Sequence, residues 1–386
     1  MFQSSKPAIL TTTALLVRNN LSERVWGTHG VNTLALDDPQ PQTVRGAGVP
    51  AHHLLRRGRP AAKLHGEHRP HFAHPVARSK AITGIGVIGD SISDEYRFYA
   101  PDRVTARNWV EILATARELH FGDPVTANRG MAQDRRLAYN WSRSSATTTS
   151  LIAQGQHRGL AAQVAGGAAI DLASVTIGTN DFVDVLIKSR SKAALRPVLE
   201  RATANLAAIL GPLLRTNSTF RIAVFTAVDL RCSPLLRGAL DAGLIPGAAA
   251  DAYGSMVMAF NERLRDLLAG HGRRVVIVDS YRLLTEVALA RSYVVGGLEI
   301  DCVNASNDPR HLFLADGFHP GTIGQCLLAN QFLDAINAGF DTGIPLLSGE
   351  EMIDFAYSVQ RPSGRALIGI GVLALLGYGR RRPRVA

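Results

Sequence analysis

Residues 82–96 read ITGIGVIGDSISDEY, and the construction of this stretch sets the expectation for the whole fold. The apolar run at 85–88, interleaved with glycine, has the length and composition of a short strand buried on both faces. It stops at Gly89-Asp90-Ser91. Glycine at such a point permits a tight turn and close backbone approach. A serine just past the C-terminal end of a first parallel strand lies at the rim of a sheet, where open α/β folds bind ligands.

Downstream of this strand the pattern alternates. Residues 104–119 fit an amphipathic helix with Val104, Trp109, Ile112, Leu113 and Leu119 on one side, which places Trp109 in the core. Residues 124–127 read as a second short strand and 128–150 as a polar loop that carries Trp141. Helices are expected over 160–168, 193–214, 249–268 and 322–338, and strands over 172–177, 221–228 and 275–279. Strands separated by helices of this length predict a parallel sheet of about five strands, of the flavodoxin-like class, in a three-layer α/β/α sandwich. Two connections, 229–248 and 291–315, are long for a compact domain and read as loops that shape a cleft.

The chain has 386 residues and a formal net charge of +10, but that charge sits at the two ends. Residues 1–80 carry +7 and residues 361–386 carry +6, so the segment between them is slightly acidic at −3. A nucleic-acid-binding protein needs a basic face on its folded part, and this balance excludes one. Residues 1–80 are rich in Pro, Arg and His without periodicity and read as a disordered leader. The folded domain is then expected over 81–342, followed by a linker and apolar tail at 343–386. Cys232, Cys302 and Cys326 are widely spaced, with no metal-binding pattern, and read as three buried thiols.

Two further motifs share the ends of this pattern with Ser91. Gly178-Thr179-Asn180-Asp181 follows a strand, and Asp316-Gly317-Phe318-His319-Pro320 precedes the last helix. Each is weak alone. Among the five histidines after residue 80, His311 and His319 each have an aspartate three positions earlier, and His319 is the later of the two, just before the last helix. Serine first, an Asn-bearing loop second and Asp-x-x-His last resemble the SGNH (GDSL) hydrolase family over residues 81–340. Ser93 stands where the G-x-S-x-G elbow of α/β-hydrolases needs glycine, which disfavours that fold.

The resemblance implies a carboxylic-ester hydrolase working through an acyl-serine intermediate, with no cofactor and no metal. Ser91 would be the nucleophile, His319 the base and Asp316 the group that orients the base. The oxyanion donors would be the Ser91 N–H, the Asn180 side-chain amide and a backbone N–H from the loop after the second strand. The family usually has glycine at that last position. The stretch 139–147, YNWSRSSAT, puts Ser145 there, where a positive φ would strain a serine. Gly130 is the alternative donor. Asp90 and Asp94, which flank the nucleophile, read as turn caps. The substrate would be a small-molecule, lipid or carbohydrate ester. The competing reading is a catalytically weak domain of the same fold that serves as a cell-surface or matrix protein.

Residues 366–379, ALIGIGVLALLGYG, precede Arg380-Arg381-Arg382 and resemble the C-terminal sorting signal of bacterial PEP-CTERM proteins. The Pro-Glu-Pro of that pattern is replaced here by Gln360-Arg361-Pro362-Ser363. Fourteen helical residues span ~21 Å, short of the ~30 Å bilayer core. Lys6 and the following AILTTTALLV have the charge-then-apolar order of an export signal, interrupted by three threonines. These ends predict a bacterial envelope or secreted protein held at a membrane by its tail, with a cytoplasmic enzyme as the alternative.

Overall fold

The computed structural model describes residues 82–95, 106–117, 119–124 and 137–358. The leader, Gly130 and the tail from residue 359 lie outside these residues.

Four parallel strands form the central sheet in the order β1-β2-β3-β4: β1 (Ile85–Gly89), β2 (Leu172–Thr176), β3 (Arg221–Phe225) and β4 (Val275–Val278). Ile85 pairs with Leu172 and Leu172 with Arg221, so the strand ends are level and their C-terminal tips share one rim. Every residue of β1 and β2 is buried, as expected of strands covered on both faces.

Among the described residues no fifth strand joins this sheet. Its place beside β1 is taken by two single bridges, Gly84 to His120 and Val87 to Asn140. Gly122 has φ 89° and Pro124 has no N–H to give a ladder, so the extended run breaks between them. Pro124 makes one antiparallel bridge, to Leu137, and the rest of the expected strand at 125–127 lies outside the described residues.

Two groups of helices contact the sheet. One holds α1 (Trp109–Ala116) and α9 (Thr322–Phe340), which pack together, with α9 against β3 and β4. The other holds α2 (Thr148–Ala153), α3 (Gln156–Ala165), α4 (Thr179–Lys188), α5 (Lys192–Leu214) and α7 (Gly247–Ala269), with α3 against β1 and α5 against β3. Helix α1 starts later than its apolar periodicity suggests because Asn108 and Glu111 form a reciprocal capping box that ends the non-helical backbone at 108. Trp109 is fully buried, 4.9 Å from the Phe332 ring and 5.4 Å from Phe225, and its Nε1 donates to Ser93 Oγ. Trp141 is also structural: its Nε1 donates to Gln163 Oε1 at 2.7 Å.

Neither long connection is an open loop. The first contains α6 (Pro234–Asp241). The second follows α8 (Ser280–Leu289) and builds a separate three-stranded sheet from β5 (Ser292–Val295), β6 (Leu298–Ala305) and β7 (His311–Phe313). Gly296 and Gly297, both at positive φ, make the two-residue hairpin between β5 and β6. After α9, residues 343–348 lead to α10 (Gly349–Ser358), which packs on α9 and β5 through buried Met352 and Ala356. The three cysteines are free; Cys302 and Cys326 are buried and Cys232 is half-buried.

Candidate active site

β1 ends at Gly89 with φ 155°, and a Cβ there would lie 2.3 Å from the Thr176 carbonyl oxygen, so no larger residue fits. Gln156 clamps this glycine on both sides: Gly89 N donates to its Oε1 at 2.9 Å, and its Nε2 donates to the Gly89 carbonyl at 3.2 Å. The chain then turns. Asp90 Oδ1 accepts from Ile92 N, and the Asp90 carbonyl accepts from Ser93 N and Asp94 N. Ser91 is carried on the first turn past the strand, 6% exposed. Ser93 Oγ, bonded to Thr176 Oγ1 and Trp109 Nε1, ties the turn to the core.

The Asp-x-x-His segment folds into a turn that closes on its own carboxylate. Asp316 Oδ1 accepts from the backbone N–H of Phe318 (2.8 Å) and of His319 (3.0 Å), while Gly317 takes φ 69°. That leaves Oδ2 facing the imidazole, 2.6 Å from His319 Nδ1. His319 Nε2 in turn lies 2.8 Å from Ser91 Oγ. With Nδ1 protonated toward the carboxylate, Nε2 is the acceptor for the serine proton. Burial alone would raise the Asp316 carboxyl, but the charge and hydrogen bond of His319, with the two backbone donors, hold it below the usual carboxylate range. The structure therefore brings Ser91, His319 and Asp316 into one hydrogen-bonded chain.

Asn180 is on the first turn of α4, after Gly178 at φ 114°. It lines the same cavity as Ser91, and its Nδ2 donates to the Ala146 carbonyl at 3.0 Å, which fixes the amide's orientation. Ser145 has φ 60°, the left-handed conformation in which glycine would be unstrained. The turn around it is tied down from several sides. Arg143 N donates to the Gly89 carbonyl, Ala146 N to the Arg143 carbonyl and Ser144 N to Asp94 Oδ2. Asp181 accepts from both Thr148 N and Thr148 Oγ1, anchoring the start of α2 just beyond.

Asp90 differs from Asp316 in its electrostatics. It is buried beside the nucleophile with no cation bonded to it, and burial pushes its carboxyl up to about 7. Between the unfolded carboxylate range near pH 4 and pH 7 the native state holds a proton that the unfolded chain has lost, so stability falls as pH rises through that window. The shift corresponds to a cost of about 4 kcal/mol above pH 7. Asp90→Asn keeps an acceptor for the Ile92 N–H and removes the ionisation. Its melting temperature is expected to gain several degrees on that of the unmutated protein between pH 5 and pH 8; parallel melting curves would contradict this.

A narrow cavity lies in front of Ser91. Its apolar walls come largely from residues that carry no motif: Val228, Leu230 and Cys232 after β3, Leu284 on α8, and Phe313 at the end of β7. Thr148 and Gln156 likewise act on the site through hydrogen bonds, Thr148 to Asp181 and Gln156 to the Gly89 backbone. No spacing rule points to such residues, because each is defined by what the fold brings next to it. Among the described residues no cluster of His, Cys, Asp or Glu is arranged to hold a metal ion.

Residues 85–332, well over half of the chain, match the family model described as GDSL-like lipase/acylhydrolase. Among solved structures the chain is similar to a GDSL-like lipase from Parabacteroides merdae, with 20% identity and a TM-score of 0.41 over 68% of this chain and 98% of that one. It is also similar to an acetyl xylan esterase from Geobacillus stearothermophilus, with 19% identity and a TM-score of 0.38 over 68% and 97% of the two chains. A family 3 carbohydrate esterase from Clostridium thermocellum aligns with 16% identity and a TM-score of 0.37, over 69% and 100%. No curated protein matches the chain.

Proposed function

The chain belongs to the GDSL-like lipase/acylhydrolase family and is a serine ester hydrolase; from that premise we propose that Ser91, His319 and Asp316 perform the acyl transfer, with Asn180 and backbone N–H groups holding the oxyanion. The observation that carries this assignment is the unbroken chain Asp316–His319–Ser91, with contacts of 2.6 and 2.8 Å, opening on the cavity. Ser91 Oγ attacks the ester carbonyl as its proton passes to His319 Nε2. Asp316 holds the ring in the tautomer that can accept it and stabilises the imidazolium that forms. The tetrahedral oxyanion is met by the Ser91 N–H, which donates to nothing else among the described residues, and by Asn180 Nδ2. Collapse expels the alcohol, protonated by His319. Water then repeats the sequence on the acyl-serine and releases the acid.

A third donor from the Ser145 turn fits this scheme, since any residue but proline has an N–H to offer. The strain at Ser145 is the one observation on the side of a catalytically weak surface or matrix domain. The bonds that tie the turn to β1, Asp94 and Asp181 hold it in shape despite that strain, and the intact chain through His319 favours an active enzyme.

The test is hydrolysis of p-nitrophenyl acetate and butyrate by the full chain, with Ser91→Ala as control. Asn180→Ala is expected to lower kcat by ~10²–10³ with a smaller effect on KM, as for loss of one oxyanion donor. An effect confined to KM would place Asn180 in substrate binding instead.

The proposal extends to location. No helix among the described residues is long and apolar enough to cross a membrane. The apolar run and terminal arginines at 366–386 have the composition of a membrane-seeking end, with cations suited to anionic headgroups. Cell fractionation tests this: deleting residues 362–386 is expected to release the protein from the membrane fraction. Equal solubility of the full-length and truncated chains would leave the tail without an anchoring role.

A further inference from the structure

We infer that Gln156 is a positioning residue for the oxyanion site: its side-chain amide, inserted at the end of β1, spaces the nucleophile turn from the Ser145 turn. The inference rests on the proposed roles of Ser91, Asn180 and the Ser145 turn.

The backbone beside β1 shows what the insertion does. Residues 139–143 run along this strand as a parallel neighbour. Val87 N donates to the Tyr139 carbonyl, Trp141 N to the Val87 carbonyl and Arg143 N to the Gly89 carbonyl. A continued parallel ladder would add a bond from Gly89 N to the Trp141 carbonyl. Gly89 N instead donates to Gln156 Oε1 at 2.9 Å, and Gln156 Nε2 returns a bond to the Gly89 carbonyl at 3.2 Å. One side chain thus stands where the ladder would have closed. From this point one segment leads to Ser91 and the other to Ser145.

The amide is committed to this task. Gln156 is fully buried, and Nε2 makes its second bond to Gln154 Oε1 at 2.9 Å, so both of its N–H groups are used. The peptide that follows Gly89 is held from the other side by β2, since Asp90 N donates to the Thr176 carbonyl. The next N–H along the chain is that of Ser91.

Gln156 is also tied to the other donors through α2. Thr147, two residues after Ser145, caps α2, and beyond this six-residue helix Gly155 at φ 70° leads into Gln156 at the start of α3. Asp181 holds the start of α2 at Thr148, and Asn180 Nδ2 donates to the Ala146 carbonyl. The Ser91 N–H, Asn180 and the Ser145 turn therefore belong to one closed frame, and Gln156 is the side chain that closes it. An amide that only satisfied the backbone would affect stability alone. One that sets a spacing also affects the rate of each folded molecule.

The experiment uses the full chain and p-nitrophenyl butyrate. Working sites are counted by completed fluorophosphonate labelling, and thermal melts follow folding. Gln156→Met fills a similar volume and offers neither bond, so the Gly89 N–H is expected to recruit the Trp141 carbonyl and draw the Ser145 turn out of place. Per labelled site its kcat is expected to fall by about 30- to 100-fold, with KM changed by less than about threefold, as for a misplacement of about 1 Å. Burial favours the neutral acid in Gln156→Glu, which accepts and donates as the amide does and is expected to keep kcat within about fivefold. Combined with Asn180→Ala, Gln156→Met is expected to cost at least about tenfold less than the product of the single effects, because the two act on one site. Gln154→Ala, at an exposed position, loosens the Gln156 amide without removing it and is expected to lower kcat by about threefold. Should Gln156→Met not fold, this variant decides, and an unchanged kcat overturns the inference. So does a Gln156→Met whose kcat per labelled site stays within about threefold, a loss confined to KM, or full multiplication with Asn180→Ala. In each of these outcomes the esterase reading stands. Absence of Ser91-dependent hydrolysis in the unmutated chain overturns that reading itself.

Discussion

Ser91→Ala is expected to lower kcat by about 10⁵–10⁶ toward any ester the enzyme accepts, with KM changed little. The reason is structural. Ser91 Oγ is bonded to His319 Nε2, and the alanine leaves the imidazole with nothing to activate at the cavity floor. His319→Ala is expected to cost about as much, because without Nε2 the serine keeps its proton. The double substitution should cost scarcely more than either single one, since the two groups act as a unit. Steady-state kinetics of the three variants, with a thermal melt to show that each is folded, checks this. Losses that multiply in the double variant would mean that Ser91 and His319 work in separate steps.

Asp316→Asn is expected to lower kcat by about 10⁴, roughly 5.5 kcal/mol of transition-state stabilisation. The substitution is nearly isosteric, and the amide oxygen can still accept the Phe318 and His319 N–H bonds that shape the turn. What changes is the partner of Nδ1. An amide NH₂ placed at Oδ2 would donate to Nδ1 and force the proton onto Nε2, which could then no longer accept from Ser91. The pH dependence of stability adds a second readout. A carboxyl held below its unfolded range contributes stability above about pH 4 and loses it as pH falls through the lowered value. Asp316→Asn should therefore melt lower than the unmutated protein at neutral pH, with the gap closing in acid. A fall in kcat of tenfold or less would show that His319 is oriented by something other than Asp316.

The parts of the fold that could be read directly are those where local chemistry and tertiary position agree. β1, β2 and β3 are short apolar runs, and each is a strand of the central parallel sheet in the structure. Ser91 and Asn180 were legible for the same reason, since each follows a strand whose own pattern is strong, and the Asp316–His319 turn was legible because it stands just before the last helix. The edge beside β1 was not legible as a broken edge. Residues 119–124 have strand-like composition up to Phe121, and only Gly122 and Pro124 signal the interruption. The small sheet was missed although Gly296-Gly297 is a strong hairpin signal. Its flanking strands are amphipathic at best, with Tyr293 and Val294 exposed, so periodicity gave no warning. The walls of the cavity could not be read at all. Leu230, Leu284 and Phe313 look like any other buried residues in sequence, and only the crossing of three distant segments makes them neighbours of Ser91. Asp94 and Asp181 stand between these cases: both lie inside motifs, but their work is done on Ser144 and Thr148, in a stretch that reads as an unremarkable polar loop.

The most direct test of the central claim is to trap the nucleophile. A fluorophosphonate probe transfers its phosphonyl group to an activated serine with loss of fluoride. The full chain, labelled at neutral pH and digested, should carry a single adduct on the peptide containing Ser91. Labelling should be abolished in Ser91→Ala, strongly slowed in His319→Ala, and accompanied by loss of ester hydrolysis in proportion to the adduct formed. An adduct on a different serine, or hydrolysis that survives complete labelling of Ser91, would contradict the account.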